Sequence, residues 1–398
     1  MTSTEQQSAA RARPVPRSWR LHAVYPQVCE PIGIASIPLE LLDAVERSAE
    51  LRSRFEVCNW VAAARPPYRR SNQRGCSHAL VAKIAYRLTG GADFLRRRTV
   101  KRLLAACRPG DLVMPYPGVL APEVDELRGR GAVIVHDPVN TAHPHGWHSL
   151  QRAYAAAGIP LHRGPDEAAI ADERRRFRPE DFAFACSPHV QASHLALGLD
   201  PSRVIATSLG WNPRTFQVQR TRAAEPRFLF VGHGSVRKGL PVLLAAWAQA
   251  AVRGKLVLVG GIDDEVRRHC ASLLARDDVE VLAHTRDLAA VYGAADVFVL
   301  PSFEEGSPLV SYLALAAGLP SLLGPAAAGQ VVRSGVEGVV VEPDDQPALV
   351  DGLRRLATDG SLRERMGALA AERAAEFTWD RVAERRFTAL DRVLRASL

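Results

Sequence analysis

The sequence predicts an α/β protein of two doubly wound domains, and three observations carry that reading. The 398 residues exceed what one hydrophobic core ordinarily serves, so two domains are expected. Short apolar runs alternate with stretches of helical length along the chain, the pattern of a parallel sheet covered on both faces. In the second half, apolar runs end in glycine-bearing polar loops that pass straight into apolar helices. That strand–loop–helix unit places ligands beyond the carboxyl ends of strands in open α/β sheets.

Taken in order, residues 1–18 are polar and rich in Arg and Pro, and are predicted to be a disordered tail. Residues 19–216 form the first domain. Its predicted strands are 21–25, 55–61, 112–114, 132–135, 181–185 and 204–207. Its predicted helices are 39–51, 78–88, 94–107, 121–130, 148–157, 166–176 and 188–197, with a loop through Gly33. The polar, Arg-rich stretch 217–226 reads as the interdomain linker. The second domain, 227–380, has predicted strands 227–231, 256–259, 279–282, 297–300, 321–323 and 338–341. Helices 240–250, 265–274, 287–292, 309–317, 347–357 and 361–377 alternate with them, and Pro241 sits in a first turn, where proline is tolerated. A final helix covers 381–398.

Composition excludes several classes. Apolar residues make up 47% and charged residues 24%, which describes a globular protein and not a disordered one. The uncharged run 306–332 is long enough to cross a bilayer, but Gly318, Pro320, Gly324 and Pro325 divide it into a buried helix and strand. Six scattered cysteines without a C-x-x-C pair, and no apolar signal core in the first residues, point to a cytoplasmic protein with free thiols. The net charge of +8 is carried almost wholly by arginine. It suits anionic small ligands or a lipid headgroup, and no nucleic-acid motif accompanies it.

Four constellations could carry chemistry. The first is the loop Gly232-His233-Gly234-Ser235-Val236-Arg237-Lys238-Gly239 after strand 227–231. Lys238 beside a helix start suits a phosphate. The glycine spacing is neither the dinucleotide fingerprint nor a P-loop, and a solvated lysine on a tight turn is the plain alternative. The second is Val299 to Val310, where Glu305 can accept from hydroxyls and the amides of Ser307 and Leu309, after Gly306 and Pro308, can face a ligand. An acidic surface loop is its plain alternative. The third is His136-Asp137-Pro138 at a strand end, followed by His143, His145 and His148. Those three histidines have ligand-like spacing, but Asp137 is the sole carboxylate near them, so a polar loop at a cleft mouth is favoured over a metal site. The fourth is the basic run Arg96–Arg102 with Arg108, read as a solvated face or a contact for an anionic membrane. The chain has no D-x-D triplet, so a bound diphosphate would be held by cationic side chains and helix ends, and no metal or other cofactor is expected.

These motifs resemble the retaining glycosyltransferases of family four, also called group one, which have the GT-B fold of two Rossmann-like domains facing across a cleft. The resemblance is carried by Phe230-Val231-Gly232 with Arg237-Lys238-Gly239, by Ala295-Asp296-Val297-Phe298-Val299-Leu300-Pro301-Ser302 with Glu305-Gly306, and by Ala316-Ala317-Gly318-Leu319-Pro320 and Gly335-Val336-Glu337-Gly338. It is strongest over 227–377 and weaker back to 181. The resemblance implies a nucleotide-sugar donor bound by the second domain and an acceptor of unidentified kind in the first. It implies that Lys238 stabilises the diphosphate leaving group, that Glu305 contacts sugar hydroxyls, and that His136 lies near the transferred sugar. Gly232, His233, Gly234, Arg237, Gly306, Ser307, Pro308, Leu309 and Val310 would complete the donor site. Transfer with retention, by front-face attack and without a metal, follows from the same resemblance, as does a last helix crossing back to the first domain.

Two positions depart from the family pattern. His233 stands where an arginine is usual, and Leu313 stands where a second glutamate, eight residues after Glu305, would hold the ribose. Leu313 accepts no hydrogen bond. These departures motivate an alternative: a non-catalytic relative serving as partner subunit or sugar-binding module. A metal hydrolase built on the three histidines is a weaker third reading.

Overall fold

The computed structural model describes residues 17–29, 36–64, 73–74, 92–221 and 223–397. Most of the tail 1–18, the loop at Gly33 and the helix expected over 78–88 lie outside these residues. The strands gather into two all-parallel sheets. The first runs β3-β2-β1-β4-β5-β6-β7, with β1 Trp19–Cys29, β2 Phe55–Ala64, β3 Gln73–Arg74, β4 Leu112–Pro115, β5 Val133–His136, β6 Phe182–Ala185 and β7 Val204–Ala206. The second runs β10-β9-β8-β11-β12-β13, with β8 Arg227–Val231, β9 Lys255–Val259, β10 Val279–Leu282, β11 Val297–Leu300, β12 Ser321–Leu323 and β13 Gly338–Val340. The strands β4, β6 and β11 are apolar and buried along their whole length. That is what a parallel sheet covered by helices on both sides requires.

The second sheet reverses direction between β8 and β11, which pair at Val297–Phe228 and Phe298–Leu229. A ligand crevice forms at such a switch point. The loops leaving these two strands are therefore neighbours, although they are far apart in sequence. Gly239 makes this contact close. It has φ +70°, and a Cβ there would stand 2.0 Å from the Pro301 carbonyl oxygen, so only glycine lets the two loops meet.

Several elements differ from the sequence expectation. The helix expected over 39–51 is two, Ile37–Arg47 and Ala49–Arg54, because Ser48 leaves helical geometry and caps the second with its hydroxyl. The helix expected over 265–274 breaks at Cys270 into Asp264–His269 and Ala271–Leu274. The run 306–332 folds as helix Leu309–Ala316, strand β12 and a short helix, Pro325–Ala328; no helix among the described residues is long and apolar enough to cross a membrane. The stretch expected as a linker is not free of contacts: the Thr221 amide donates to the Gly293 carbonyl at 2.9 Å. Just before it, Phe216 stacks edge-on against Tyr292.

The last helix is Trp379–Ala396. Its buried stripe includes Trp379, Val382, Ala383, Phe387, Leu390 and Leu394, at helical spacing. That stripe lies on the first domain: Phe387 packs edge-on against Phe55 and Phe184, and Asp391 accepts from the Trp19 indole at 2.8 Å. The helix starts two residues earlier than expected because Trp379 is anchored, its amide donating to the Trp211 carbonyl at 3.0 Å.

Candidate active site

A cleft of about 1140 Å³ separates the domains, with β5 opening into it from one side and the β8 loop from the other. His136, His233, Arg237, Lys238 and Glu304 all line it.

The centre of the second domain's side is a four-residue charge cluster. The Lys238 ammonium donates to Glu305 Oε1, and Ser302 Oγ donates to the same oxygen at 3.1 Å. Arg237 donates through one guanidinium nitrogen to the Glu304 carboxylate at 2.7 Å and to the Glu304 carbonyl at 2.8 Å, with Glu305 Oε2 at 3.7 Å. Both glutamates are buried, at 6% exposure each, which is tolerable because each has a cationic partner. Burial works against the Arg237 charge, but Glu305 and Glu304 beside it prevail and raise its pKa. Two cations and two carboxylates thus meet at the carboxyl ends of adjacent strands, where charge developing on a ligand would be felt at low dielectric.

The other expected donor-site residues take distinct places. Gly232 has φ +145°, and a Cβ there would approach the Lys238 side chain. Gly234 lies against Leu240, with no room for a side chain. His233 is largely exposed and bonds Asp263 at 2.6 Å through Nε2; it does not join the charge cluster. Ser307 turns its hydroxyl onto Tyr312 at 2.7 Å, and the Tyr312 hydroxyl accepts from the Leu209 amide at 3.0 Å. Pro308 precedes helix Leu309–Ala316 as its cap residue. Leu309 and Val310 are that helix's first residues, whose N–H groups have no intrahelical partner. Leu313, on the same helix, is half-buried among the core residues.

Gly306 brings the first domain in. A Cβ on it would sit 1.8 Å from the Val139 carbonyl oxygen, so the Glu-Gly turn lies directly under the Val139–Thr141 segment. The Thr141 hydroxyl donates to Glu304 Oε1 at 2.7 Å. Further along, Tyr154 bonds Glu265, and Arg152 bonds Asp344 at 2.8 Å and Glu342 at 3.2 Å across the same boundary.

His136 ends β5, fully buried. Its Nε2 meets Asp181 at 2.9 Å, its ring lies 4.1 Å from that of Phe177, and Asp181 also holds Arg128. Burial lowers the His136 pKa against the pull of Asp181. The three downstream histidines are not a loop: they occupy the start of helix His143–Ala157. On the helix His145 and His148, three residues apart, share a face while His143 is turned away from it, so the three do not converge on one point. Among the described residues no group of three His, Cys, Asp or Glu could hold a metal. In the basic run, Arg96 is taken by Asp93 and Glu123, and Arg97 by Asp93, while Lys101 is exposed.

Glu304, Thr141, Ser302 and Asp181 are site residues that sequence reasoning missed. The available signal for Glu304 was the doubled acid facing a doubled base, Arg237-Lys238.

Residues 225–359 match the family model described as glycosyl transferases group 1. The D-inositol 3-phosphate glycosyltransferase of Streptosporangium roseum is 30% identical over 70% of this chain and 73% of its own length. The chain belongs to the group 1 glycosyltransferases. The equivalent protein of Actinosynnema mirum is also 30% identical, over 69% and 76%. The Xylanimonas cellulosilytica protein is 29% identical, and there the match spans only 63% of the relative, under two thirds. Among solved structures, sucrose-phosphate synthase from Thermosynechococcus elongatus aligns with a TM-score of 0.69 at 19% identity, covering 96% of this chain and all of that one. Anabaena HepE, solved with UDP and glucose, aligns at 0.62 and 15% over 96% and all of that chain. These likenesses show the fold, GT-B.

Proposed function

We propose that the chain is a retaining, metal-independent glycosyltransferase that moves a sugar from a nucleotide diphosphate to a hydroxyl acceptor. One observation carries the reading: Lys238 and Arg237 lie against the Glu304-Glu305 turn at the sheet's switch point, facing the first domain across the cleft. In the step, the bond between the anomeric carbon and the diphosphate oxygen breaks. The acceptor oxygen bonds to that carbon on the same face and its proton passes to the departing phosphate. Lys238 and Arg237 supply the counter-charge to the leaving diphosphate: Lys238 exchanges its bond with Glu305 for one to a phosphate oxygen, and Arg237 keeps Glu304 on one guanidinium nitrogen while its other nitrogens turn to the phosphate. Glu305, released from Lys238, accepts from sugar hydroxyls, and His136 borders the sugar from the first domain. The relatives named for D-inositol 3-phosphate and the neighbour solved with UDP support a nucleotide donor and a polyol acceptor as first substrates to try.

The non-catalytic reading rests on Leu313. Isothermal titration with UDP, GDP, ADP and dTDP separates the two. A transferase binds at least one below millimolar, and Leu313→Glu tightens that binding about tenfold by adding a charged hydrogen bond to the ribose. Absence of binding to all four favours the module.

The enzyme acts in the cytoplasm, and contact with an anionic inner membrane face through the Lys101 region belongs to the same reading. Lys101→Glu is then expected to reduce cosedimentation with phosphatidylglycerol vesicles severalfold; equal sedimentation of the variant removes the membrane from the proposal.

A further inference from the structure

The residue before Glu305 has no role in the donor site as expected from the sequence, yet its carboxylate is held from both domains. Glu304 is buried and lines the cleft. One carboxylate oxygen accepts from Arg237 at 2.7 Å, and its backbone carbonyl accepts from the same guanidinium nitrogen at 2.8 Å. The other carboxylate oxygen accepts from Thr141 Oγ1 at 2.7 Å, in the opposite domain. Each oxygen therefore serves a different domain. A Cβ added to the adjoining Gly306 would meet the Val139 carbonyl, so the domains approach closely beside this residue.

We propose that Glu304 is a positioning residue that couples donor binding to domain closure: it holds Arg237 in the donor site with one oxygen and draws Thr141 over that site with the other. The proposal rests on the donor-site reading above. If Glu304 were only a counter-charge to Arg237, removing its charge would free the guanidinium and tighten the binding of a diphosphate. A positioning role has the opposite sign. Without Glu304 the guanidinium loses its fixed direction, and the Val139–Thr141 segment loses its tie to the turn beneath it.

The test is steady-state kinetics with the nucleotide sugar that the wild type uses, alongside thermal melts. Glu304→Gln keeps the shape and an acceptor but loses the charge. It is expected to raise the donor KM about tenfold with a smaller change in kcat. Thr141→Val removes only the cross-domain half and is expected to raise donor KM severalfold, while Thr141→Ser, which keeps the hydroxyl, restores it. The double variant Glu304→Ala/Thr141→Val is expected to be no worse than Glu304→Ala alone, because the alanine already removes both halves of the link. A lower donor KM in Glu304→Gln, or additive effects in the double variant, overturns the coupling. So does an effect of Thr141→Val that Thr141→Ser shares. Should Glu304→Gln fail to fold, the Thr141 pair alone decides. A wild type that binds no nucleotide diphosphate overturns the donor-site reading itself, a result recognisable before any variant is made.

Discussion

Replacing Lys238 with alanine is expected to lower the transfer rate by about 10²–10³-fold, with a smaller change in donor KM. The reasoning starts from where the charge goes. In the resting protein the ammonium neutralises Glu305, which is buried and also bonded by Ser302. As the sugar–phosphate bond breaks, negative charge grows on the leaving diphosphate, and a cation preplaced there is worth most in the transition state. Arg237 remains in the variant and sustains binding, so kcat falls more than KM rises. Lys238→Arg keeps the charge but changes its shape and reach, and is expected to recover part of the rate.

A structural side effect must be separated from the catalytic one. Removing Lys238 leaves Glu305 buried with a weaker cationic contact, Arg237 at 3.7 Å, and an unpaired buried carboxylate destabilises a fold. Lys238→Ala should therefore also melt earlier. The double variant Lys238→Ala/Glu305→Gln removes the unpaired charge, and is expected to regain the melting temperature while staying inactive. Lys238→Ala retaining more than a tenth of wild-type kcat would take the lysine out of the mechanism.

The contrast between the Lys238–Glu305 and Thr141–Glu304 pairs shows what could be read from sequence. Lys238 and Glu305 each stand on a recognisable strand–loop–helix unit, and the sheet's switch point brings such units together. Strand β11 and the helix after it were visible for the same local reason: an uninterrupted apolar run, a polar turn, then another apolar run. The Glu304–Thr141 bond was not visible, because the two residues are 163 positions apart in different domains, and no period or spacing links them. The histidines at 143, 145 and 148 misled in the opposite way. His143 and His145 share a face only on an extended chain, and Pro144 in the first turn is a helix-start residue that turns them apart. Asp181, expected in a strand, lies just before β6 and leaves its carboxylate for His136 and Arg128.

Arg386 presents the largest stability effect expected in the molecule. On an Arg-rich terminal helix it reads as one more solvated cation, yet it falls on the same stripe as Val382, Ala383, Phe387 and Leu390, and it is completely buried. Its guanidinium donates to both oxygens of Asp137 at 3.0 Å, to the Thr207 hydroxyl at 3.1 Å and to the Ser208 carbonyl at 2.7 Å, and it lies over the Phe184 ring. Asp137 follows His136 at the cleft, and Thr207–Ser208 begin the passage from β7 toward the second domain. One side chain of the last helix thus holds the tip of β5 and the crossing segment together. Arg386→Met is expected to cost about 3–5 kcal/mol, because among the described residues Asp137 is left as a buried charge with the Tyr116 hydroxyl, at 3.0 Å, to answer it. The pair itself gains less than that figure suggests, since burying two charges has its own desolvation cost. Arg386→Met combined with Asp137→Leu is therefore expected to recover most of the loss in urea unfolding. Recovered stability with impaired transfer would assign the pair to shaping the cleft around His136. A loss below about 1 kcal/mol in Arg386→Met alone, the range of an exposed ion pair, would mean that the buried network does not form in solution.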